Sequence, residues 1–277
     1  MKHNKNRLIS VLTKCLLEHY RLNNTDFKTR VNYQLRVNNI IEFLGERTDF
    51  LITELDLAFA SSFREWCNKR YSVDHASRNV ELLKKVTKYA KVKGLISYDP
   101  ISNMVTSRAK PKEVIHITND ELNLIVNNKH YDQLTKDCYI VQSLTGLSYG
   151  DLTEFKVVED GFGEWVTGNR IKSPHNEYWI PLHPIVKRIL KEHGGKLPRI
   201  PLTSYNREIK IIAKQLGINK NLTTHTARKT FATLMYDKGV SEDTIADMMG
   251  ISVFILRKHY LKKSRRRIEA ELSTITL

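Results

Sequence analysis

The sequence predicts a mainly α-helical protein with a small antiparallel β-sheet, folded as two domains. Three observations predict it. Apolar residues recur at helical spacing through the first hundred positions. An aperiodic stretch carrying Arg108, Lys110, Pro111 and Lys112 follows. Beyond it, short β-like runs interrupt a second helical series. A first domain at 1–103, a linker at 104–113 and a second domain at 114–277 result.

Within the first domain, an amphipathic helix opens around residues 8–17, its apolar run broken by Lys14. Val37, Ile40, Ile41 and Leu44 then repeat at i, i+3, i+4 and i+7. They put one apolar stripe on a helix over about 26–46, capped by Thr25 or Asp26. A third helix spans about 56–70, with Phe59, Phe63 and Trp66 on one side. A fourth spans about 74–92 and stops at Gly94, with Leu82, Val86, Tyr89 and Ala90 toward a core. On that helix Lys84, Lys88 and Lys91 share another face, with Arg78, Lys85 and Lys93 nearby. As a set they suit a polyanion backbone, although any one of them alone is an ordinary solvated lysine.

In the second domain, Thr118 and Glu121 form a capping box that opens a helix, and another covers 132–144 before Thr145-Gly146. The β-like runs are 155–158, 164–171 and 177–181. The last two flank 172–176 and predict a hairpin with a four- to five-residue loop. Helices follow at 184–192, 205–216, 226–238, 241–249 and 253–262, punctuated by Gly217, Gly239 and Gly250.

A net charge of +15 is shared by both parts: residues 1–110 hold 20 Lys+Arg against 11 Asp+Glu, and the remainder 25 against 19. Cationic excess on two domains points to nucleic acid. Hydrophobic content of 41% supplies real cores and argues against disorder. Cys15, Cys67 and Cys138 are widely spaced and form no CxxC, which reads as buried or free thiols in a reducing cytoplasm and not as a disulfide set or a zinc site. No signal peptide or membrane-length apolar run is visible, so a cytoplasmic, non-membrane protein is expected.

Four ordered segments carry a resemblance. His225-Thr226-Ala227-Arg228 looks like the HxxR box of tyrosine recombinases (the phage integrase family), and its spacing puts both side chains on one helical face. Tyr260 falls where that family has its nucleophile. Thr145-Gly146-Leu147-Ser148-Tyr149-Gly150-Asp151-Leu152 is similar to the family's TGLRxxEL, and Arg170-Ile171-Lys172-Ser173 with Tyr178–Leu182 is similar to its lysine-bearing hairpin. The N-terminal helices, ending in Lys93-Gly94-Leu95-Ile96 and Asp99-Pro100, resemble its core-binding domain. The resemblance implies a two-domain clamp on double-stranded DNA, working as a homotetramer on two DNA sites. It implies strand cutting and rejoining through a 3′-phosphotyrosine without metal or cofactor. A basic tail (Lys262, Lys263, Arg265, Arg266, Arg267) with Ile268, Leu272 and Ile275 would reach a neighbour.

The residue types suit that chemistry. An arginine fork donates two parallel hydrogen bonds to phosphate and keeps its proton, which fits Arg228. Lys172 on a hairpin tip fits a general acid, His225 a phosphate ligand and proton carrier, Tyr260 the nucleophile, and Asp151 the acid that orients arginines. Taken singly, each has a plainer reading: a packed Tyr, a capping His, a salt-bridged Arg, a turn Lys, a first-turn Asp. Order and spacing lift them above it.

Two positions depart from the family. Ser148 stands where it has its first arginine, and Ile251 where it has His or Trp. Arg170, on the strand of Lys172, or Arg257, three residues before Tyr260, is the expected stand-in for the missing charge. Arg170 would arrive when DNA orders the hairpin. The alternative is a catalytically impaired DNA-binding relative that acts as an accessory or regulator.

Overall fold

The computed structural model describes residues 6–47, 49–106, 113–261, 268 and 272. The chain divides into two compact units, Met1–Lys112 and Glu113–Leu277.

The first unit is a bundle of four helices: α1 (Leu8–Leu22), α2 (Phe27–Leu44), α3 (Leu57–Arg70) and α4 (Val73–Val92). Asp26 and Asp56 start α2 and α3 by accepting the otherwise orphaned backbone N–H groups of Thr29 and Phe59. Leu12, Ile40, Phe63, Leu83 and Val86 fill the core. A polar chain crosses it: Tyr71 OH donates to Asn39 Oδ1 (3.0 Å), Asn39 Nδ2 to Asn79 Oδ1 (2.9 Å), and Asn79 Nδ2 to the carbonyl of His75 (2.9 Å). Every link finds a partner, so the amides are buried without the cost of lost hydration.

Of the cations expected to line α4, Arg78, Lys88 and Lys91 are exposed. Lys84 is not free: its Nζ donates to the carbonyl of Met104 (2.8 Å). With Met104 itself buried in this core, Lys84 ties down the segment leaving the bundle. Lys85 likewise donates to Tyr33 OH (2.8 Å). The predicted linker lies mostly outside the described residues.

The second unit begins with α5 (Asn119–Asn127), opened by the Thr118/Glu121 capping box, and α6 (Gln133–Thr145). A three-stranded antiparallel sheet follows in the order β1 (Lys156–Asp160), β2 (Gly163–Arg170), β3 (Ser173–Pro181). Then come α7 (Pro184–Glu192), α8 (Leu202–Gln215), α9 (Thr224–Asp237), α10 (Glu242–Met249) and α11 (Val253–His259). Helix α9 packs along α6, where Tyr139 OH meets Thr226 Oγ1 at 3.1 Å, and Thr230 Oγ1 accepts from Ile117 N at 3.0 Å. A second apolar cluster joins the sheet to α10 and α11 through Val166, Ile180, Phe231, Ile245 and Leu256.

Three expectations need correction. The β2–β3 turn is only Ile171-Lys172. The residues expected in a longer loop are absorbed as a bulge in β3, between the pairs Asn169↔Glu177 and Arg170↔Ser173. The bulge is held by Asn169 Nδ2 on the carbonyl of Pro174 (2.8 Å) and Asn176 Nδ2 on that of Gly250 (3.2 Å). The first strand runs two residues further than predicted, because pairing with β2 continues to Asp160↔Gly163. Helix α11 ends at His259, so Tyr260 is its C-cap. Of the tail, Ile268 and Leu272 are exposed, and Lys262, Lys263, Arg265, Arg266, Arg267 and Ile275 lie outside the described residues.

The buried amide chain yields a stability prediction. Asn79→Ala removes the acceptor of Asn39 and should cost about 1–3 kcal/mol of unfolding free energy, read by urea denaturation. A neutral effect would mean that the chain adds nothing.

Candidate active site

The site is built where α6 ends, the hairpin turns and α10 stops. Helix α6 terminates at Gly146, which is left-handed (φ +67°). A Cβ there would stand 2.4 Å from the Phe231 ring, so only glycine lets the chain turn against α9. The turn presents the Gly146 carbonyl to Arg228, one helical turn beyond His225 on α9. Arg228 is 2% exposed. One Nη donates to Gly146 O, and the other to the carbonyl of Met249 at 2.7 Å. Its Nε has no hydrogen-bond partner among the described residues. Burial, and then the charge of Arg170, pull its pKa down to about 10, while Tyr260 and Asp151 oppose the shift; it remains a cation at neutral pH.

Arg170, at the end of β2, is already docked beside it. Nη1 donates to the same Met249 carbonyl (2.7 Å), and Nε stands 2.7 Å from Asp151 Oδ2. It does not wait for DNA to order the hairpin, because the carbonyl and the carboxylate supply fixed partners. Asp151 is 1% exposed and is satisfied on all sides: Ser148 Oγ donates to Oδ2 (2.7 Å) and Ile171 N to Oδ1 (3.0 Å). Ser148 therefore contributes a hydrogen bond to the acid, and the acid's cation comes from the hairpin.

Tyr260 reaches this cluster from the end of α11. The Arg228 guanidinium carbon is 5.4 Å from its ring centroid, and the His225 ring meets it edge-on at 5.2 Å. The His225 imidazole is open to solvent on one side. Crowding still removes enough of its water that, with Lys229, Arg228, His259 and Lys172 nearby, its pKa falls to about 4. Lys172 is exposed at the turn. Ile251 packs against the sheet–α10 cluster, an apolar buttress. Arg257 is not a stand-in: its Nε pairs with Glu242 on α10 and its side chain is 68% exposed.

The structure thus gathers Tyr260, Arg228, His225, Arg170, Asp151 and Ser148, with Lys172 at the rim. Two buried arginines face one carboxylate, so the cluster is short of one anion. Such a pocket can hold a phosphodiester against the phenol. Sequence reasoning missed the backbone acceptors, Gly146 O and Met249 O, and the tether from Asn176. The glycines at 146 and 250 were their only trace. Among the described residues no group of three or more His, Cys, Asp or Glu could hold a metal ion.

Comparison with known proteins agrees with this architecture. Residues 9–106 match the phage integrase SAM-like domain, and residues 185–266 match the phage integrase family. The tyrosine recombinase XerC of Rickettsia canadensis (strain McKiel) is 20% identical, covering 88% of this chain and 89% of its own. The integrase of Staphylococcus phage L54a is 22% identical over 92% and 90%. Among solved structures, a lambda integrase tetramer bound to a Holliday junction superposes with TM-score 0.76, at 16% identity, over 95% of this chain and 80% of that one. The Tn1549 transposon integrase in complex with a circular intermediate DNA gives 0.70, at 16%, over 98% and 100%. Fold and family models agree on a mainly helical chain of two compact units. The chain belongs to the tyrosine recombinase (phage integrase) family.

The surroundings of His225 set a pH dependence. Between pH 6.5 and about 4 the unfolded chain binds a proton that folded His225 refuses. Stability from this residue is therefore present above 6.5 and lost as pH falls through that window. Calorimetric melting of His225→Gln should decline less steeply over it than melting of the parent; equal slopes would contradict the assignment.

Proposed function

We propose that this protein is a site-specific DNA recombinase that cuts and rejoins strands through Tyr260. The observation that carries the reading is the phenol set against a buried arginine pair that lacks one counter-anion. The scissile phosphate takes that place. Tyr260 Oη attacks phosphorus, the P–O5′ bond breaks, and a 3′-phosphotyrosyl ester forms while the free 5′-oxygen gains a proton. Because the ester keeps the bond energy, the reverse attack by a 5′-hydroxyl reseals DNA without ATP.

Arg228 and Arg170 stabilise the charge on the non-bridging oxygens, where fixed donors count most in the transition state. Lys172 at the hairpin tip protonates the leaving oxygen. Neutral His225 bonds the phosphate and accepts the phenol's proton. Asp151 holds Arg170, and Ser148 holds Asp151. The charge missing at position 148 is supplied from the hairpin, which removes the main ground for an impaired accessory protein. Arg78, Lys88 and Lys91 on α4 contact the DNA backbone. Double-stranded DNA is the partner, a homotetramer on two sites the working assembly, and exposed Ile268 and Leu272 part of the contact between subunits.

On a nicked suicide substrate, the parent should form a covalent adduct that survives SDS, and Tyr260→Phe should form none while still binding DNA. Arg228→Ala should lower the cleavage rate with saturating DNA about 10²- to 10³-fold, more than Lys172→Ala does, with binding changed much less. An undiminished adduct from Tyr260→Phe would falsify the nucleophile. Replacing Arg78, Lys88 and Lys91 together by Ala should weaken binding and reduce the salt slope of log K by about 3; an unchanged slope would remove α4 from the backbone contact.

A further inference from the structure

Met249 and Gly250, at the end of α10, bring the arginines of the pocket together. The Met249 carbonyl accepts from both Arg170 Nη1 and Arg228 Nη2, each at 2.7 Å. The next carbonyl, that of Gly250, accepts from Asn176 in the β3 bulge (3.2 Å). Carbonyls at a helix C-terminus have no partner within the helix and carry its partial negative charge, which makes them natural seats for guanidinium groups. Gly250 itself is left-handed, with φ +59°. A Cβ there would lie 2.8 Å from Arg170 Cγ and 3.1 Å from Cδ, with Glu177 O at 3.5 Å. The stem of Arg170 therefore crosses the bare face of Gly250 to reach Met249 O and Asp151.

We propose that Gly250 is a positioning residue for the relocated cation. Its missing side chain opens the channel through which Arg170 enters the pocket, and Asn176 closes the hairpin over that channel. The neighbouring contacts fit this role. Arg170 is buried, with Nη1 on the Met249 carbonyl and Nε 2.7 Å from Asp151 Oδ2, and the register break in β3 falls where Asn176 must turn to reach Gly250. Ending α10 requires only the backbone conformation. The space over Gly250 serves Arg170.

The inference rests on Arg170 acting in the pocket, and a double-mutant cycle separates the two ideas. Gly250→Ala, Arg170→Ala and the double variant are compared for single-turnover cleavage of a nicked suicide duplex with saturating protein, alongside duplex affinity and melting temperature. Gly217→Ala is the control, because Gly217 is also left-handed (φ +71°) but a methyl added there would meet nothing within 4 Å. It bears the backbone strain without the collision. Gly250→Ala should slow cleavage on the order of 10- to 100-fold with affinity nearly unchanged. In the Arg170→Ala background it should slow cleavage little further, since the group it displaces is already gone. Asn176→Ala should give a smaller loss of the same kind. Equal losses from Gly250→Ala in both backgrounds, or a loss matched by Gly217→Ala, would make Gly250 merely structural and overturn the proposal. A slow Arg170→Ala with a normal Gly250→Ala would overturn it too, and leave the role of Arg170 standing. A normal Arg170→Ala would sink both. Should Gly250→Ala fail to fold, Gly250→Asn, which suits the left-handed backbone yet keeps the Cβ, takes its place in the cycle.

Discussion

One backbone oxygen holds the site together. The Met249 carbonyl is shared by two guanidinium groups that would otherwise repel each other in a space nearly closed to water. Like charges in a low-dielectric pocket are costly unless dipoles and counter-charges surround them. Here the dipoles are Met249 O and Gly146 O, and the counter-charge is Asp151. Three features of the chain support that arrangement. Gly146 turns α6 so that its carbonyl faces Arg228, Gly250 leaves room for the Arg170 stem, and the β3 bulge lets Asn176 pin the hairpin to the end of α10.

The arrangement also accounts for Ser148. The Ser148 hydroxyl and Arg170 Nε share one carboxylate oxygen, Asp151 Oδ2, at 2.7 Å each, and Oδ1 is left to Ile171 N. The acid then orients a cation that comes from a different element. The cation beside Asp151 thus comes from the hairpin and not from position 148.

Electrostatics around Tyr260 follow from the same excess of cations. His225 is kept neutral because crowding, Lys229, Arg228, His259 and Lys172 all disfavour a further positive charge. A neutral imidazole retains an acceptor nitrogen, which a protonated ring would lack. The cations that help keep the imidazole neutral also give the pocket a positive field.

The sequence by itself determined most of the helices, because apolar period, Asp and Thr caps, and glycine stops are local signals: Asp26, Asp56, Thr118 with Glu121, and Gly146 all act within a turn of the chain. It also pointed to side chains that the fold brings together, since His225 and Arg228 lie one helical turn apart and the Tyr260 ring meets both. Tertiary structure alone decided their partners. That Arg170 and not Arg257 joins Arg228 depends on where the hairpin meets α10, and that Lys84 serves Met104 depends on the chain returning along the bundle. The β3 bulge was illegible for the same reason: its stabilising contact, Asn176 to Gly250, spans 74 positions. Backbone carbonyls carry no residue identity, so a pocket whose arginines are seated on Gly146 O and Met249 O leaves no direct mark in the sequence beyond the glycines that make room for it.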